Sequence, residues 1–330
     1  MRHDDDEHAQ FERPRRHTRP RTKVRPNYDD AAIARVITID RGRYTVLIDD
    51  ADGERLVTTM KSRPLGRKGV VVGDEVRVVG DISGKDDTLA RIVEVESRRT
   101  VLRRTADDDD PIERVIVANA EQLVIVTALA DPPPRPGLID RCLVAAFDAG
   151  LKPVVCLTKA DLADPAPLVK ELAPLDVRII VTQRDGDLAE LRDALSDTIS
   201  VMVGHSGVGK STLVNALVPD ADRTTSHVNA VTGRGRHTST SAIALRLPSG
   251  GWIVDTPGIR SFGLAHVEVG SVIVAFPDLE EASKGCPRGC THEASEPECA
   301  LDEAVAAGNL DAARVASLRR LIASRHSPHD

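Results

Sequence analysis

The chain has 330 residues, 41% hydrophobic and 29% charged, with a net charge of −7. That is enough apolar material for two or three ordinary domains, and it excludes a protein that is basic throughout. Aromatic residues make up only 2%, which excludes nucleic-acid binding carried mainly by base stacking, and no apolar run approaches the ~18 residues of a membrane helix. The acidic, polar stretch Met1–Gln10 does not read as a secretory signal. Five cysteines, an odd number, point to the reducing cytoplasm.

Residues 1–30 read as a disordered arm. Seven Arg or Lys and no acid lie between Arg13 and Arg25, with Pro14, Pro20 and Pro26 around them. Such a segment is either a solvated tail or an arm that neutralises phosphates. Residues 31–100 carry short β-rich runs at Ile33–Ile39, Tyr44–Ile48, Arg55–Thr58, Glu75–Val79 and Leu89–Val95, separated by turn signals such as Asp40-Arg41-Gly42 and Asp52-Gly53. Five short strands in this length predict a small β-barrel of the OB type. Lys61, Arg63, Arg67 and Lys68 fall on one loop of it, which suits nucleic-acid contact. Leu102–Pro111, with its Asp107–Asp110 run, reads as a linker.

Beyond residue 112 strands and helices alternate. Apolar runs at Leu123–Val126, Val154–Leu157, Val177–Val181 and Ile199–Val203 read as buried parallel strands, with helices over Leu138–Asp148, Ala166–Ala173 and Leu188–Leu195 between them. A further helix opens at Gly209, and two more strands fit Ala242–Leu247 and Trp252–Asp255. This predicts a doubly wound α/β domain over 101–269, with ligands at the carboxyl ends of its strands. Residues 270–330 hold a Cys/His cluster between helices, the last over about Leu310–Ser324.

The chemistry starts at Ile199–Val203, which runs into Gly204-His205-Ser206-Gly207-Val208-Gly209-Lys210-Ser211, followed by Thr212. This is G-x-x-x-x-G-K-S between a strand and a helix. Its glycines let backbone N–H groups face phosphate oxygens, Lys210 reaches the β/γ-phosphates and Ser211 binds Mg²⁺. Asp255-Thr256-Pro257-Gly258 ends a strand and places a carboxylate near Mg²⁺ and the Gly258 N–H near a γ-phosphate. Thr158-Lys159-Ala160-Asp161 follows another strand. A carboxylate there accepts from the N1 and N2 edge of guanine, which adenine lacks; the plainer reading of Asp161 is a helix cap. The order is unusual: T-K-A-D precedes the phosphate loop by about 45 residues and D-T-P-G comes last. That is a circular permutation of the ordinary small-GTPase order.

With the barrel before these motifs and Cys286-x₃-Cys290-Thr-His292-x₆-Cys299 after them, the sequence resembles the bacterial ribosome small subunit-dependent GTPase A family (RsgA, also called YjeQ). Ile139-Asp140-Arg141 and Gly233-Arg-Gly-Arg-His-Thr238 belong to the same resemblance. It implies a cytoplasmic, monomeric GTPase that binds GTP, GDP and Mg²⁺, acts on the 30S subunit and its 16S rRNA late in assembly, and carries one Zn²⁺ in a C-terminal helical domain on Cys286, Cys290, His292 and Cys299. Three features depart from the family pattern. Thr158 stands where Asn is usual and lacks the amide that would bond guanine and the phosphate loop. The zinc spacing is one residue shorter in its first gap and one longer in its last, though Cys₃His remains a tetrahedral zinc set. Val181-Thr182-Gln183 blurs the other guanine-contacting motif and leaves Thr182 as its contact.

The attacking water also needs an orienter, and Ile259 occupies the place after D-x-x-G where many GTPases have Gln. His237 is the nearest polar candidate, and Thr238 or Thr240 would bring a hydroxyl to Mg²⁺. His205 receives no catalytic role. Cys142 and Cys156 read as small core residues. Two other classes compete: a zinc-containing RNA-binding module whose nucleotide is only a structural switch, and a P-loop kinase, which would need an acceptor lid that no segment supplies.

Overall fold

The structure, a computed structural model, describes residues 27–66, 69–85, 87–105, 113–219, 242–256, 263–264 and 266–325. The Arg13–Arg25 arm, Arg67 and Lys68, the Asp107–Asp110 run and the candidates His237, Thr238, Thr240, Gly258 and Ile259 lie outside these residues.

Strands β1 (Ala32–Asp40), β2 (Arg43–Asp50), β3 (Gly53–Lys61), β4 (Glu75–Gly80) and β5 (Ala90–Val95) run in the order β1-β2-β3-β5-β4, and β4 returns to pair with β1. The sheet therefore closes into a barrel, which removes its open edges. Pairing is antiparallel except between β3 and β5. Alternate β-branched residues, among them Val36, Val46, Val57, Val76 and Ile92, point inward and are fully buried. The five-strand barrel expected for 31–100 is present.

The expected linker is a different matter. β6 (Val101–Arg104) pairs antiparallel with β7 (Arg114–Ala118), so the segment starting at Leu102 opens as a strand. Leu102 is buried in the same core as Val117 and Leu143. Flanking charge hides so short a strand in the sequence, because one buried leucine makes no period. This pair abuts the barrel. Ala118 N–H donates to Val72 O at 3.0 Å, and the buried Asn119 amide donates to Gly73 O at 3.0 Å while its oxygen accepts from Arg99 N–H at 2.8 Å. Gly73 is required here: a Cβ would fall 2.1 Å from Ala118 O, at φ +87°.

The α/β sheet runs β10 (Arg178–Val181), β9 (Lys152–Thr158), β8 (Gln122–Ala128), β11 (Ile199–Val203), β13 (Trp252–Asp255), β12 (Ile243–Arg246). All neighbours are parallel except β12, which is antiparallel to β13. β12 meets barrel strand β1 at Thr38↔Ile243, where the Thr38 hydroxyl donates to Ala242 O. Side chains alternate across the sheet. Leu123 and Ile125 of β8 face α1 (Pro136–Asp148) and α2 (Ala166–Leu172), whereas Val124 and Val126 face α3 (Ala189–Leu195) and α4 (Lys210–Leu217).

The C-terminal helices α5 (Val269–Ile273), α6 (Pro277–Ser283), α7 (Ala300–Ala306) and α8 (Ala312–Ser324) share the core of α1. Phe276 is fully buried and meets Phe147 edge-on at 5.3 Å. Polar ties reinforce the joint. Arg320 of α8 bonds Asp140 of α1 with two nitrogens at 2.9 and 3.2 Å, and Arg141 donates to Ser324 O at 2.6 Å. Asp140 and Arg141 thus seat the last helix, while Ile139 lines a small pocket with Gly204, His205 and Val208. Burial pushes Asp140 up to about 6 against the pull of Arg320. Among the described residues no helix is long and apolar enough to cross a membrane.

Candidate nucleotide and metal sites

Three motifs sit at the carboxyl ends of β9, β11 and β13, which lie on one side of one sheet with only β8 interposed. Parallel strands bring them together although about 100 residues separate the first from the last. Gly204 leaves β11 so close to β8 that a Cβ would fall 2.5 Å from Val126 O. The loop then turns into α4, whose N-cap is Gly209 at φ +92°. The backbone N–H groups of His205, Ser206, Gly207, Val208 and Gly209 have no acceptor among the described residues. A row of free amides at a helix N-terminus is an anion cradle. Ser206, Gly207, Ser211 and Thr212 are exposed on it, whereas Val208 is buried and anchors it. The Lys210 ammonium pairs with the Asp255 carboxylate across the end of β13. Thr256, which sequence reasoning did not single out, fixes that carboxylate's backbone: its buried hydroxyl donates to Met202 O at 2.9 Å. Ser211 and Asp255 supply the hard oxygen donors that suit Mg²⁺.

Beside the cradle lies a cavity of about 480 Å³, lined by Thr158, Lys159, Asp161, Thr182, Gln183, Arg184, Gly209 and Thr212 among others. Asp161 is exposed to it and does not cap a helix; Ala166 N–H takes its cap from Asp164 at 2.9 Å. Lys159 has φ +61° and donates from Nζ to Asp131 O. Ala160 N–H donates to Thr182 O at 3.2 Å, so Thr182 holds this loop through its backbone as well as lining the cavity. Gln183, from the blurred guanine-contacting motif, and Arg184, whose only signal was its place just past β10, complete one wall.

Thr158 departs from the expectation attached to it. Its hydroxyl is buried and donates to Val208 O at 2.6 Å, with Thr127 O at 3.3 Å. The link between T-K-A-D and the phosphate loop is therefore kept without an amide. That single proton is used on the loop.

The second cluster lies between α6 and α7. Cys286 Sγ, Cys290 Sγ and Cys299 Sγ stand 3.6, 3.4 and 3.8 Å from His292 Nδ1, and Cys286 and Cys299 sulfurs are 4.0 Å apart. A tetrahedron with 2.3 Å metal–sulfur bonds has edges of about 3.8 Å. The four atoms fit it, and His292 and Glu298 of the same loop have left-handed backbone. Arg319 braces the ligand loop, donating to His292 O at 3.0 Å and forking onto Asp302 at 2.8 Å. Burial, helped by Arg319, holds His292 below the usual imidazole value and keeps it in the neutral form a metal binds. Burial pushes the Cys290 thiol up to about 11. Cys142 and Cys156 are core residues; burial pushes them up to about 12 and about 11.

Residues 95–265 match the family model of the RsgA GTPase. Small ribosomal subunit biogenesis GTPase RsgA of Chlorobaculum parvum is 36% identical over 85% of this chain and 94% of its own. The chain belongs to the RsgA GTPase family. The protein of the same name from Chromohalobacter salexigens is 38% identical over 77% of this chain and 75% of its own. Among solved structures, YjeQ from Thermotoga maritima is 26% identical with a TM-score of 0.66, covering 90% of this chain and 99% of that one. YloQ, described as a circularly permuted GTPase, shares the fold with a TM-score of 0.65 at 24% identity, covering 92% and 99%.

Proposed function

We propose that this protein is a cytoplasmic GTP hydrolase of small ribosomal subunit biogenesis, whose hydrolysis drives late maturation of the subunit and its own release. One observation carries the nucleotide part: the free amides of His205–Gly209 share Gly209 with a cavity that carries Asp161 on its wall. A triphosphate fits the amides, and the carboxylate selects guanine. Lys210 and the loop amides would stabilise charge on the β/γ-phosphates, Asp255 and Ser211 would hold Mg²⁺ together with Thr238 or Thr240, and His237 would position the attacking water. Bound Mg²⁺ would supply further neutralisation of phosphate charge. Cys286, Cys290, His292 and Cys299 would hold one Zn²⁺ that fixes the C-terminal module, within the four-part division 1–30, 31–100, 101–269 and 270–330.

The small-subunit role rests on the curated relatives, and the barrel surface supports 16S rRNA as the contact. Arg43, Met60 and Arg91 stand side by side across β2, β3 and β5, all exposed. Neither arginine has an ion-pair partner among the described residues, so both charges are available to phosphates. The protein acts as a monomer in this reading.

The test is single-turnover hydrolysis of GTP and ATP by wild type and His237→Ala, with and without purified 30S subunits, alongside co-sedimentation. GTP hydrolysis stimulated by 30S and lost in His237→Ala supports the reading. Binding to 30S without stimulated turnover would favour an RNA-binding module with a nucleotide switch, and equal use of ATP would refute the guanine site.

A further inference from the structure

His205 stands second in the phosphate loop, and its side chain has no role in the reading above. Its Nδ1 lies 2.7 Å from the carbonyl oxygen of Ser206. A carbonyl only accepts, so Nδ1 carries the proton in this contact. Nε2 is buried and has no partner among the described residues, so the neutral Nδ1–H tautomer satisfies the geometry. The bond acts on one peptide plane. In a trans peptide the C=O and the following N–H point in opposite directions. Pinning Ser206 C=O to the imidazole therefore directs the Gly207 N–H the other way. Gly207 is exposed at φ +84°, and its N–H has no acceptor among the described residues.

We propose that His205 is a positioning residue for GTP hydrolysis: its Nδ1–H holds the Ser206–Gly207 peptide so that the Gly207 N–H faces the phosphates. The imidazole touches no substrate. It removes a peptide-flip freedom that the two neighbouring positions, Ser206 and Gly207, would otherwise leave in the cradle. A donor already aimed at developing charge needs no reorganisation during the reaction, which is where such donors have their effect.

This inference rests on the reading of Gly204–Ser211 as a GTP phosphate loop, and the experiment separates the two. His205→Asn keeps a donor at the distance of Nδ1 and removes the rest of the ring. His205→Phe keeps the ring's volume and removes the donor. Single-turnover GTP hydrolysis is measured for wild type and both variants, with GDP affinity and the unfolding midpoint of each. The expected result is His205→Asn within about threefold of wild type and His205→Phe slower by about 10- to 100-fold. If the ring served only to fill space beside Ile139 and Cys142, the ranking would invert, with Phe active and Asn impaired. That inversion, or a folded His205→Asn slowed more than tenfold, overturns the proposal even if Phe fails to fold. Absence of GDP binding in wild type would instead overturn the phosphate-loop reading itself.

Discussion

Thr158→Val isolates the bond that joins base recognition to phosphate recognition. Valine keeps the volume and β-branching of threonine in a site that is 5% exposed, and removes only the hydroxyl. Val208 O, itself on a buried residue, then loses its 2.6 Å donor, and Thr127 O loses its 3.3 Å contact. Stripping the donor from a buried acceptor costs about 1–3 kcal/mol. The loss divides between two readouts. Where the loop stays in place, the orphaned carbonyl appears as lower stability. Where the loop shifts to rehydrate it, the binding-competent population falls and nucleotide affinity falls by the same fraction. A partition with about 1–2 kcal/mol in binding corresponds to about 5- to 30-fold weaker GDP. The assay is titration with a fluorescent GDP analogue together with denaturant unfolding in the absence of nucleotide. Thr158→Ser, which keeps the hydroxyl, should stay close to wild type in affinity. A Thr158→Val protein unchanged in both affinity and stability would refute the argument that this hydroxyl holds the loop.

Asp161→Asn should weaken GTP and shift preference toward xanthosine triphosphate, whose C2 carbonyl accepts from an amide; titration of GTP, ATP and xanthosine triphosphate against both proteins checks it. The Cys290→Ala/Cys299→Ala double variant should lose stoichiometric zinc and loosen the α6–α7 loop, read by metal analysis and by proteolysis near His292. Asp140 carries a pH signature: its folded value is raised to about 6 by burial, so the folded state holds the proton more tightly than the unfolded chain. Its contribution is present below pH 4, and is lost as pH rises through about 6, by at most about 3 kcal/mol. The stability of wild type minus that of Asp140→Asn should therefore increase as pH is lowered from 7 to 5, measured by denaturant unfolding at each pH.

Local signals made much of this protein legible without coordinates. Each barrel strand has its own alternation and its own turn residues. The phosphate loop is contiguous, and its Gly pattern, Lys210 and Ser211 act within a single turn, so they could be read in line. The four candidate metal ligands span 14 positions, short enough for one loop to bring their side chains together. Even the permuted order could be read, because it is a property of sequence.

Other features depend on residues far apart in the chain, and only the tertiary structure decided them. Thr158 looked like a loss because its missing amide is visible in the sequence, whereas the 2.6 Å approach of Val208 O, 50 residues away, is set by how β9 packs near β11. Val101-Leu102 is an apolar pair between arginines, too short to show a period, and becomes a strand only because β7 and the core of α1 are there to receive it. Asp140 and Arg141 belonged to the family resemblance with no role until α8 supplied Arg320 and Ser324 O some 180 residues later. Gly73 reads in the sequence only as part of a turn, and its close approach to Ala118 O, 2.1 Å from its absent Cβ, belongs to the fold. Periodicity and motif spacing report what a segment does with its own neighbours; a contact across the sheet is fixed by packing, which no single segment contains.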